Sequence, residues 1–184
     1  YVVTRPLSEL HSAFCAAICN AGKRSVMLDL KTEDGRRDAF CLARSADVVV
    51  ENFRPGVMAR LGLGWKALSE VNPALVYCSI SGFGQEGATA SRPAYAPIIH
   101  AASGLALALM EFQPSAERPA PTAMFHADVL AGVYAWGAIQ TALLARSQTG
   151  QGQHIDVALM DSLVSMMVYE CQEAQFPQNR KRQI

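Results

Sequence analysis

The sequence lacks the features that mark several common classes of protein. Its 16 basic and 16 acidic side chains cancel over 184 residues, so no basic excess indicates a nucleic-acid binder. No apolar run matches the ~20 uninterrupted residues that a membrane-spanning helix needs. The longest apolar-leaning run, around Val129 to Ala145, is interrupted by Gly132, Gly137 and Gln140, and we interpret it as a buried helix. With 51% hydrophobic residues, the chain can build a folded core.

Cysteine and histidine lack the spacing of a disulfide framework or a metal site. The five cysteines are an odd number without a Cys-x-x-Cys pair, so we expect reduced thiols packed in the core of a cytoplasmic protein. The four histidines, at positions 11, 100, 126 and 154, lie far apart along the chain, and no metal site is predicted. The sequence opens at Tyr1 without an initiator methionine, and we expect it to be a piece of a longer protein.

Two familiar catalytic loops are also missing. The glycine-rich segment 82–87 has no following Lys-Ser or Lys-Thr pair, which a phosphate-binding P-loop would have, so we interpret it as a turn. No Gly-x-Ser-x-Gly elbow occurs, and Ser-His-Asp hydrolysis therefore has no support.

The sequence does contain an alternation of short apolar runs and helical segments. The β-branched run Val48-Val49-Val50 is typical of a parallel strand covered on both faces. Strands and helices that alternate in this way predict an α/β fold with a largely parallel sheet. Strands are predicted over 25–30, 47–51, 75–80 and 154–158, and helices over 7–19, from Thr32, over 57–61, 65–70, 98–110 and 128–146, and from Asp161.

Asp128 is the acidic residue with the clearest chemical potential. It is predicted in the first turn of an apolar helix, where the helix dipole and free N–H groups favour an ionised carboxylate. A carboxylate partly shielded from water can attack an activated carbonyl. A plain helix-capping acid remains the alternative from the residues alone. His126, two residues earlier, is a candidate acid/base partner.

Arg54 and Arg60 flank a predicted helix start directly after a buried strand. In α/β sheets this is a usual place for anion sites, and two cations there could hold a pyrophosphate or a nucleotide phosphate. A solvated basic helix face is the alternative interpretation.

Several longer motifs occur in order along the chain and resemble those of the class III CoA-transferases, the CaiB/BaiF family. The resemblance extends from about residue 12 to residue 169. The segments that carry it are KRSVMLDLK at 23–31, DVVVENFRPGV at 47–57, LGLG at 61–64, Asn72-Pro73, YCSISGFG at 77–84, the Asp128 helix to Arg146, and TGQGQHIDV at 149–157.

The resemblance implies an enzyme that moves CoA from an acyl-CoA donor to a carboxylic acid acceptor through an aspartyl-CoA thioester. Asp128 matches the position of the family's nucleophile. CoA is then a substrate, and no metal is implied. The matching CoA-binding positions are Asn52, Phe53, Arg54, Val57, Arg60 and Tyr95.

The resemblance also implies a Rossmann-like parallel sheet flanked by helices and an interlocked homodimer. From the composition we expect a cytoplasmic protein without a nucleic-acid or membrane partner. We expect residues 1–22 to form a partial linker or helix before the core, 23–170 to form the CoA-transferase family α/β core, and 171–184 to form a polar basic tail. Family members are roughly twice as long, with a strand before this chain and a glycine-rich loop after it. Without those parts, we expect impaired or no catalysis.

Two alternative functions remain. The α-methylacyl-CoA racemases of the same family have Gly-His-Asp where this sequence has Ala94-Tyr95-Ala96, and a tyrosine is a poor acid/base at neutral pH; His100 or His126 would have to replace that histidine. A non-catalytic domain that binds CoA or a partner chain is the other alternative.

Overall fold

A computed structural model describes residues 1–4, 19–110, 117–119, 122 and 124–176. The strands and helices alternate along the chain, as predicted for an α/β fold. The elements are β1 (Val2–Thr4), β2 (Ser25–Met27), α1 (Glu33–Arg44), β3 (Val48–Glu51), α2 (Val57–Arg60), α3 (Trp65–Val71), β4 (Val76–Ser81), α4 (Ala96–Ala102), α5 (Leu105–Met110), α6 (His126–Thr149), β5 (Gln153–Ala158), α7 (Leu159–Val164) and α8 (Val168–Gln175).

The strands form two parallel groups. Strands β3, β4 and β5 make a sheet in that order, and β1 pairs with β2 separately. In the larger sheet Glu51 is in register with Ser79, and Ser79 is in register with Asp156. The predicted parallel α/β layout is therefore confirmed, and the carboxyl ends of β3, β4 and β5 share one edge, called here the carboxyl edge.

Helices cover the larger sheet on both faces. On one face, α1 and α3 enclose fully buried Leu68, Leu75 and Tyr77, and the Tyr77 hydroxyl donates to the Leu63 carbonyl over 3.1 Å. On the other face, α4, α6 and α7 pack over Cys78 and Val157. Each fully buried leucine of this kind contributes roughly 1.5–3 kcal/mol of apolar transfer free energy.

Arg146 fixes the direction of the long helix α6 relative to the sheet. Its guanidinium donates to the carbonyls of Asp47 and Ala74 over 3.3 and 3.1 Å, and pairs with the Asp47 carboxylate at 3.0 Å. Asp47 and Ala74 precede β3 and β4, so the last turn of α6 lies at the amino ends of the strands. The first turn of α6, which contains Asp128, therefore lies towards the carboxyl edge.

The prediction of a buried helix over 129–145 is wrong in its degree of burial. Alanines of α6 face the sheet, but large apolar side chains on the opposite face are exposed, because no described element packs there. These exposed residues are Val129, Val133, Trp136 and Leu144. Helix α6 is also long and apolar enough to span a membrane by length and composition, a test that core helices pass equally well.

Other sequence predictions differ in detail. Val50 in β3 is 54% exposed, so no described element covers its side chain, and the predicted cover of this strand on both faces is wrong. The helix predicted over 98–110 is two helices, separated at Gly104, whose φ is +87°. Among the described cysteines only Cys78 is buried, whereas Cys19 and Cys41 are exposed, which corrects the expectation of core thiols.

Some predicted features lie outside the described residues. They include most of the helix expected over 7–19 and the end of the polar basic tail expected over 171–184. Within the tail expected over 171–184, the first residues continue α8 as far as Gln175.

Gly82, directly after β4, is a position where a side chain cannot fit. A Cβ there would overlap the Cβ of Ala94, which is fixed to the backbone. We expect Gly82→Ala to lower the free energy of unfolding by about 1–3 kcal/mol, since overpacking forces the two segments apart. Urea unfolding measures the change. Gly132→Ala is the control: open space surrounds that exposed helical glycine, so its stability should stay equal or rise by up to about 1 kcal/mol. Equal effects of the two changes would contradict the packing of Gly82 on Ala94.

Candidate active site

The segment that follows β3 is held at the carboxyl edge by two polar contacts. The Asn52 amide donates to the Ile80 carbonyl over 2.7 Å, which ties the end of β3 to the end of β4. The buried Glu51 carboxylate accepts the Phe53 N–H over 2.8 Å. Phe53 is 45% exposed as a residue, so part of its surface is available to a ligand beside the sheet.

Helix α2 places two arginines next to this segment. Gly56 begins the helix with a φ of +79°, and the Arg54 carbonyl accepts the Val57 N–H over 3.1 Å. Arg60 Nη1 lies 3.1 Å from the point where a Cβ on Gly56 would be, so the Arg60 guanidinium folds back over the helix start. Within the described ranges neither Arg54 nor Arg60 forms an ion pair.

The length of α2 decides which charges matter there. Four residues make a single turn, so the aligned peptide dipoles are few. The two guanidinium groups therefore supply most of the attraction for an anion, and such planar donors suit a phosphate or a carboxylate.

Tyr95 lies near the carboxyl edge because the residue before it packs against the loop after β4. It is the N-cap residue of α4, with its side chain 67% exposed. Ala94, the residue before it, packs against Gly82 in the loop after β4. The Gly82 carbonyl in turn accepts the Met160 N–H over 3.0 Å, so the loop after β4, the start of α4 and the start of α7 meet.

Asp128 occupies the first turn of α6, as predicted. The helix begins at His126, and its N-cap residue Phe125 offers no side-chain acceptor to the free N–H groups. The Asp128 side chain is exposed among the described residues, so the partial shielding expected from the sequence is not present there. The carboxylate is consequently accessible to a reactant that approaches from outside the sheet.

Two histidines lie beside Asp128, and their contact with each other could hardly be predicted from the sequence. His100 on α4 is 4% exposed, and its Nε2 accepts the Ala127 N–H over 3.4 Å. The rings of His100 and His126 meet edge to face, with centroids 5.5 Å apart. His126 Nδ1 is buried and has no hydrogen-bond partner among the described residues. In the sequence, the only indication of this pair is that His100 lies within an apolar run with helical spacing.

The surroundings of His100 favour its neutral form. Burial lowers the pKa of His100 from its usual value, and the neighbouring His126 lowers it further, whereas the Asp128 carboxylate opposes both effects. A neutral imidazole keeps one nitrogen free as an acceptor, which fits the contact with the Ala127 N–H.

A cavity of about 210 Å³ borders His100 on the side of α5. Its other lining residues are mostly apolar, which suits a small organic group more than an ion. They are Pro97, Leu105, Ala106, Leu109, Pro119 and Thr122. Across the described part of the chain, no three His, Cys, Asp or Glu side chains are grouped as a metal site requires.

The site residues predicted from the sequence thus form three groups around one edge of the sheet. Asn52, Phe53, Arg54, Val57 and Arg60 belong to the segment after β3. Tyr95 is linked to this segment because its neighbour Ala94 packs against Gly82 in the loop after β4. Asp128 is linked to Tyr95 because His100, on the helix that Tyr95 caps, accepts the N–H of the residue before Asp128.

Comparison with known proteins decides the family. The family described as CoA-transferase family III matches residues 3–184. The chain belongs to the family III CoA-transferases. An acetyl-CoA:oxalate CoA-transferase from Acetobacter aceti is 43% identical over 148 residues, which is 80% of this chain and 38% of that protein. A succinate–glutarate CoA-transferase from Agrobacterium fabrum is 43% identical over 142 residues, 77% of this chain and 35% of that protein.

The fold agrees with this family. The crystal structure of a CaiB/BaiF family protein from Brucella suis superposes with a TM-score of 0.78 at 37% identity, covering 89% of this chain and 43% of that one. The family III chain described here therefore spans less than half the length of these relatives, and it contains the parallel sheet and the helices around it.

Glu51 should order the segment of this family III chain that follows β3. Glu51→Leu removes the acceptor of the Phe53 N–H, and we expect that amide proton to exchange roughly 5–10-fold faster, as for the loss of about 1 kcal/mol of hydrogen bonding. Glu51→Gln keeps an acceptor oxygen and is the matched control. Hydrogen exchange by NMR measures both, and equal exchange of Phe53 in wild type and Glu51→Leu would contradict this role.

Proposed function

We propose that this chain is the nucleophile-bearing half of an enzyme that transfers CoA from an acyl-CoA donor to a carboxylic acid. The observation that carries the proposal is the position of Asp128, an exposed carboxylate in the first turn of α6 at the carboxyl edge of the sheet. Membership of the family III CoA-transferases supports the reaction class.

The reaction begins with attack of an Asp128 oxygen on the donor's thioester carbonyl. The C–S bond breaks, CoA leaves as a thiolate, and a mixed anhydride remains on Asp128. The thiolate then attacks the aspartyl carbonyl, which releases the donor acid as a carboxylate and leaves an aspartyl-CoA thioester. Each step exchanges one acyl bond for another, so no oxidant, reductant or water is needed.

The acceptor acid completes the cycle by the same two steps in reverse. Its carboxylate attacks the aspartyl thioester and displaces the CoA thiolate, which forms a second mixed anhydride. The thiolate attacks the acceptor's acyl carbon, the new acyl-CoA leaves, and the Asp128 carboxylate is regenerated. Both anhydrides react readily with water, so water must be excluded from Asp128 during turnover.

The segment after β3 is the proposed CoA-binding site. Arg54 and Arg60 supply positive charge without an ion-pair partner in the described ranges, which suits the CoA phosphates. The exposed Phe53 ring offers a stacking surface for the adenine, between Asn52 and Val57. Tyr95, at the start of α4, lies on the route from there towards Asp128 and lines the proposed pantetheine or acyl channel.

The substrates are proposed by class only. The two relatives named above act on oxalate and on glutarate with succinate, according to their names, and these are dicarboxylic acids. A short carboxylic acid is therefore the proposed acceptor. We also propose a cytoplasmic homodimer with 23–170 as its core, without a metal and without a nucleic-acid or membrane partner.

The racemase alternative is favoured by one observation, the two histidine rings beside Asp128. However, the Nε2 lone pair of His100 is occupied by the Ala127 N–H, which makes this nitrogen a poor base. Exchange of the acyl α-proton with D2O in the absence of an acceptor acid would support racemisation, and its absence would exclude it.

Asp128 is tested by trapping the covalent intermediate. After incubation with acetyl-CoA, succinyl-CoA or oxalyl-CoA, hydroxylamine should convert an activated Asp128 carbonyl into a hydroxamate, which intact-protein and peptide mass spectrometry detect. Asp128→Asn should abolish the adduct because the amide cannot attack. Asp161→Asn, which changes the exposed first-turn acid of α7, is the matched control. An adduct on Asp128→Asn would contradict the nucleophile assignment; CoA binding without any adduct in the wild-type chain would favour a binding domain.

Arg60 is tested by its contribution to CoA affinity. Arg60→Ala should weaken CoA binding by about 1–3 kcal/mol, as expected for a lost charge-assisted contact, and isothermal titration measures it. Arg44→Ala, at the exposed end of α1, should leave the affinity unchanged. If Arg60→Ala binds CoA as the wild type does, Arg60 belongs to a solvated surface instead.

A further inference from the structure

We propose that His100 is a positioning residue for Asp128. Its Nε2 atom accepts a hydrogen bond from the backbone N–H of Ala127, the residue before Asp128. The inference rests on the proposed function of Asp128 and extends it to a residue on a different helix. His100 touches neither the carboxylate nor a substrate in this arrangement; it acts through the peptide that leads into Asp128.

The contact fixes the protonation of the imidazole. A backbone N–H can only donate, so the nitrogen facing it must carry a lone pair. Since His100 Nε2 faces the Ala127 N–H at 3.4 Å, a neutral ring carries its proton on Nδ1. A doubly protonated ring would place two donors against each other and would break the contact.

Helix α6 needs an acceptor at this point because its N-cap residue, Phe125, supplies no side-chain acceptor. The first N–H groups of any helix have no partner within the helix, and the N-cap residue Phe125 makes no side-chain hydrogen bond. His100 comes from α4 and takes the place of a cap for Ala127, the second residue of α6. The next residue is Asp128, so the same contact sets the orientation of its Cα–Cβ bond.

The charged groups around His100 support a neutral ring. Helix α6 contributes His126, whose ring is in edge contact, and Asp128. Helix α5 has no titratable residue, and α7 has only Asp161, which is exposed. The exposed Glu117 and Arg118 precede Pro119, which lines the cavity beside His100. The positive end of the α6 dipole adds to the preference for a neutral imidazole.

The first test examines the hydrogen bond between the Ala127 N–H and His100 Nε2 in the absence of substrate. Imidazole ¹⁵N–¹H spectra of the wild-type chain should show His100 with its proton on Nδ1 and a bare Nε2 at pH 7. His100→Leu should speed exchange of the Ala127 amide proton roughly 5–10-fold, whereas His100→Gln, whose amide oxygen can accept, should keep it within about 3-fold of the wild type. A proton on Nε2, or equal exchange in all three proteins, would overturn the proposal.

The second test separates positioning from general stability. With acyl-CoA, His100→Leu should form the Asp128 adduct roughly 10–100-fold more slowly at saturating donor, with unchanged donor affinity, and His100→Gln should restore most of the rate. Ile99→Val, a change of the buried neighbour on α4, is the control for lost packing and should leave the rate unchanged. Equal slowing in His100→Gln and His100→Leu, or in Ile99→Val, would show a structural role only and would overturn the proposal.

The free energy of unfolding should also depend on pH in the way that a neutral, buried His100 requires. Because the folded pKa of His100 lies below its ordinary 6.5, the unfolded chain binds the proton more readily. The stabilisation from His100 is therefore complete above pH 6.5 and is lost as the pH falls through the lowered pKa. Urea unfolding between pH 7.5 and 5, at about half-unit steps, should show a smaller loss in His100→Gln than in the wild type. An identical loss would contradict a neutral, buried His100.

These readouts distinguish the two proposals. If no adduct forms in the wild-type chain, this half does not react with the donor by itself, and the imidazole and Ala127 signals still decide whether His100 holds the start of α6. If adducts form normally in His100→Leu, transfer stands and the positioning role is wrong.

Discussion

The direction of α6 relative to the parallel sheet is the constraint on which the rest of the site depends. Arg146 binds the carbonyls that precede β3 and β4, and this places the opposite end of the helix towards the carboxyl edge. Chain direction in β3, β4 and β5 brings their following loops to the same edge. A carboxylate, two arginines and an exposed tyrosine from distant parts of the sequence therefore surround one side of the fold.

The exposed face of α6 bears on the chemistry proposed for Asp128. Val129, the residue after Asp128, and Val133, one turn further along the helix, are 64% and 59% exposed, and an anhydride formed on Asp128 would meet water. The reaction requires a cover over the first turn of α6, since acyl intermediates are lost to hydrolysis in open solvent. The relatives are more than twice as long as the part that this chain matches, which leaves ample protein to supply such a cover.

Much of the fold was predictable because its signals are local. The run 48–50 and the threonine at 32 mark a strand and a helix start, and the structure has both there. The break at Gly104 was missed because an apolar run with helical spacing does not reveal a left-handed residue. The exposure of Val50 and of α6 could not be predicted either, because it depends on which other elements are present.

Only part of the candidate site could be predicted, again because a sequence shows local patterns and not contacts between distant elements. The first-turn position of Asp128 and the candidate anion site at Arg54 and Arg60 follow from local pattern, whereas the other CoA-binding positions came from resemblance to a family. All of the CoA-binding positions stay predictions. His100 contacts Ala127 across 27 positions in sequence, and nothing in the spacing indicates that α4 would meet the start of α6. Tertiary contacts between helices have no local signature, so such residues emerge only from the fold.

The most direct test of the account is a CoA titration followed by backbone NMR. Binding should shift the amide signals of Phe53 to Arg60, then Tyr95, and then the first turn of α6, because all three groups surround the carboxyl edge. The amides near Ala74 and Gly152, at the amino ends of the strands, should stay unchanged. Shifts confined to that opposite end, or saturable binding with no response in the segment after β3, would contradict the assignment of this edge as the active site.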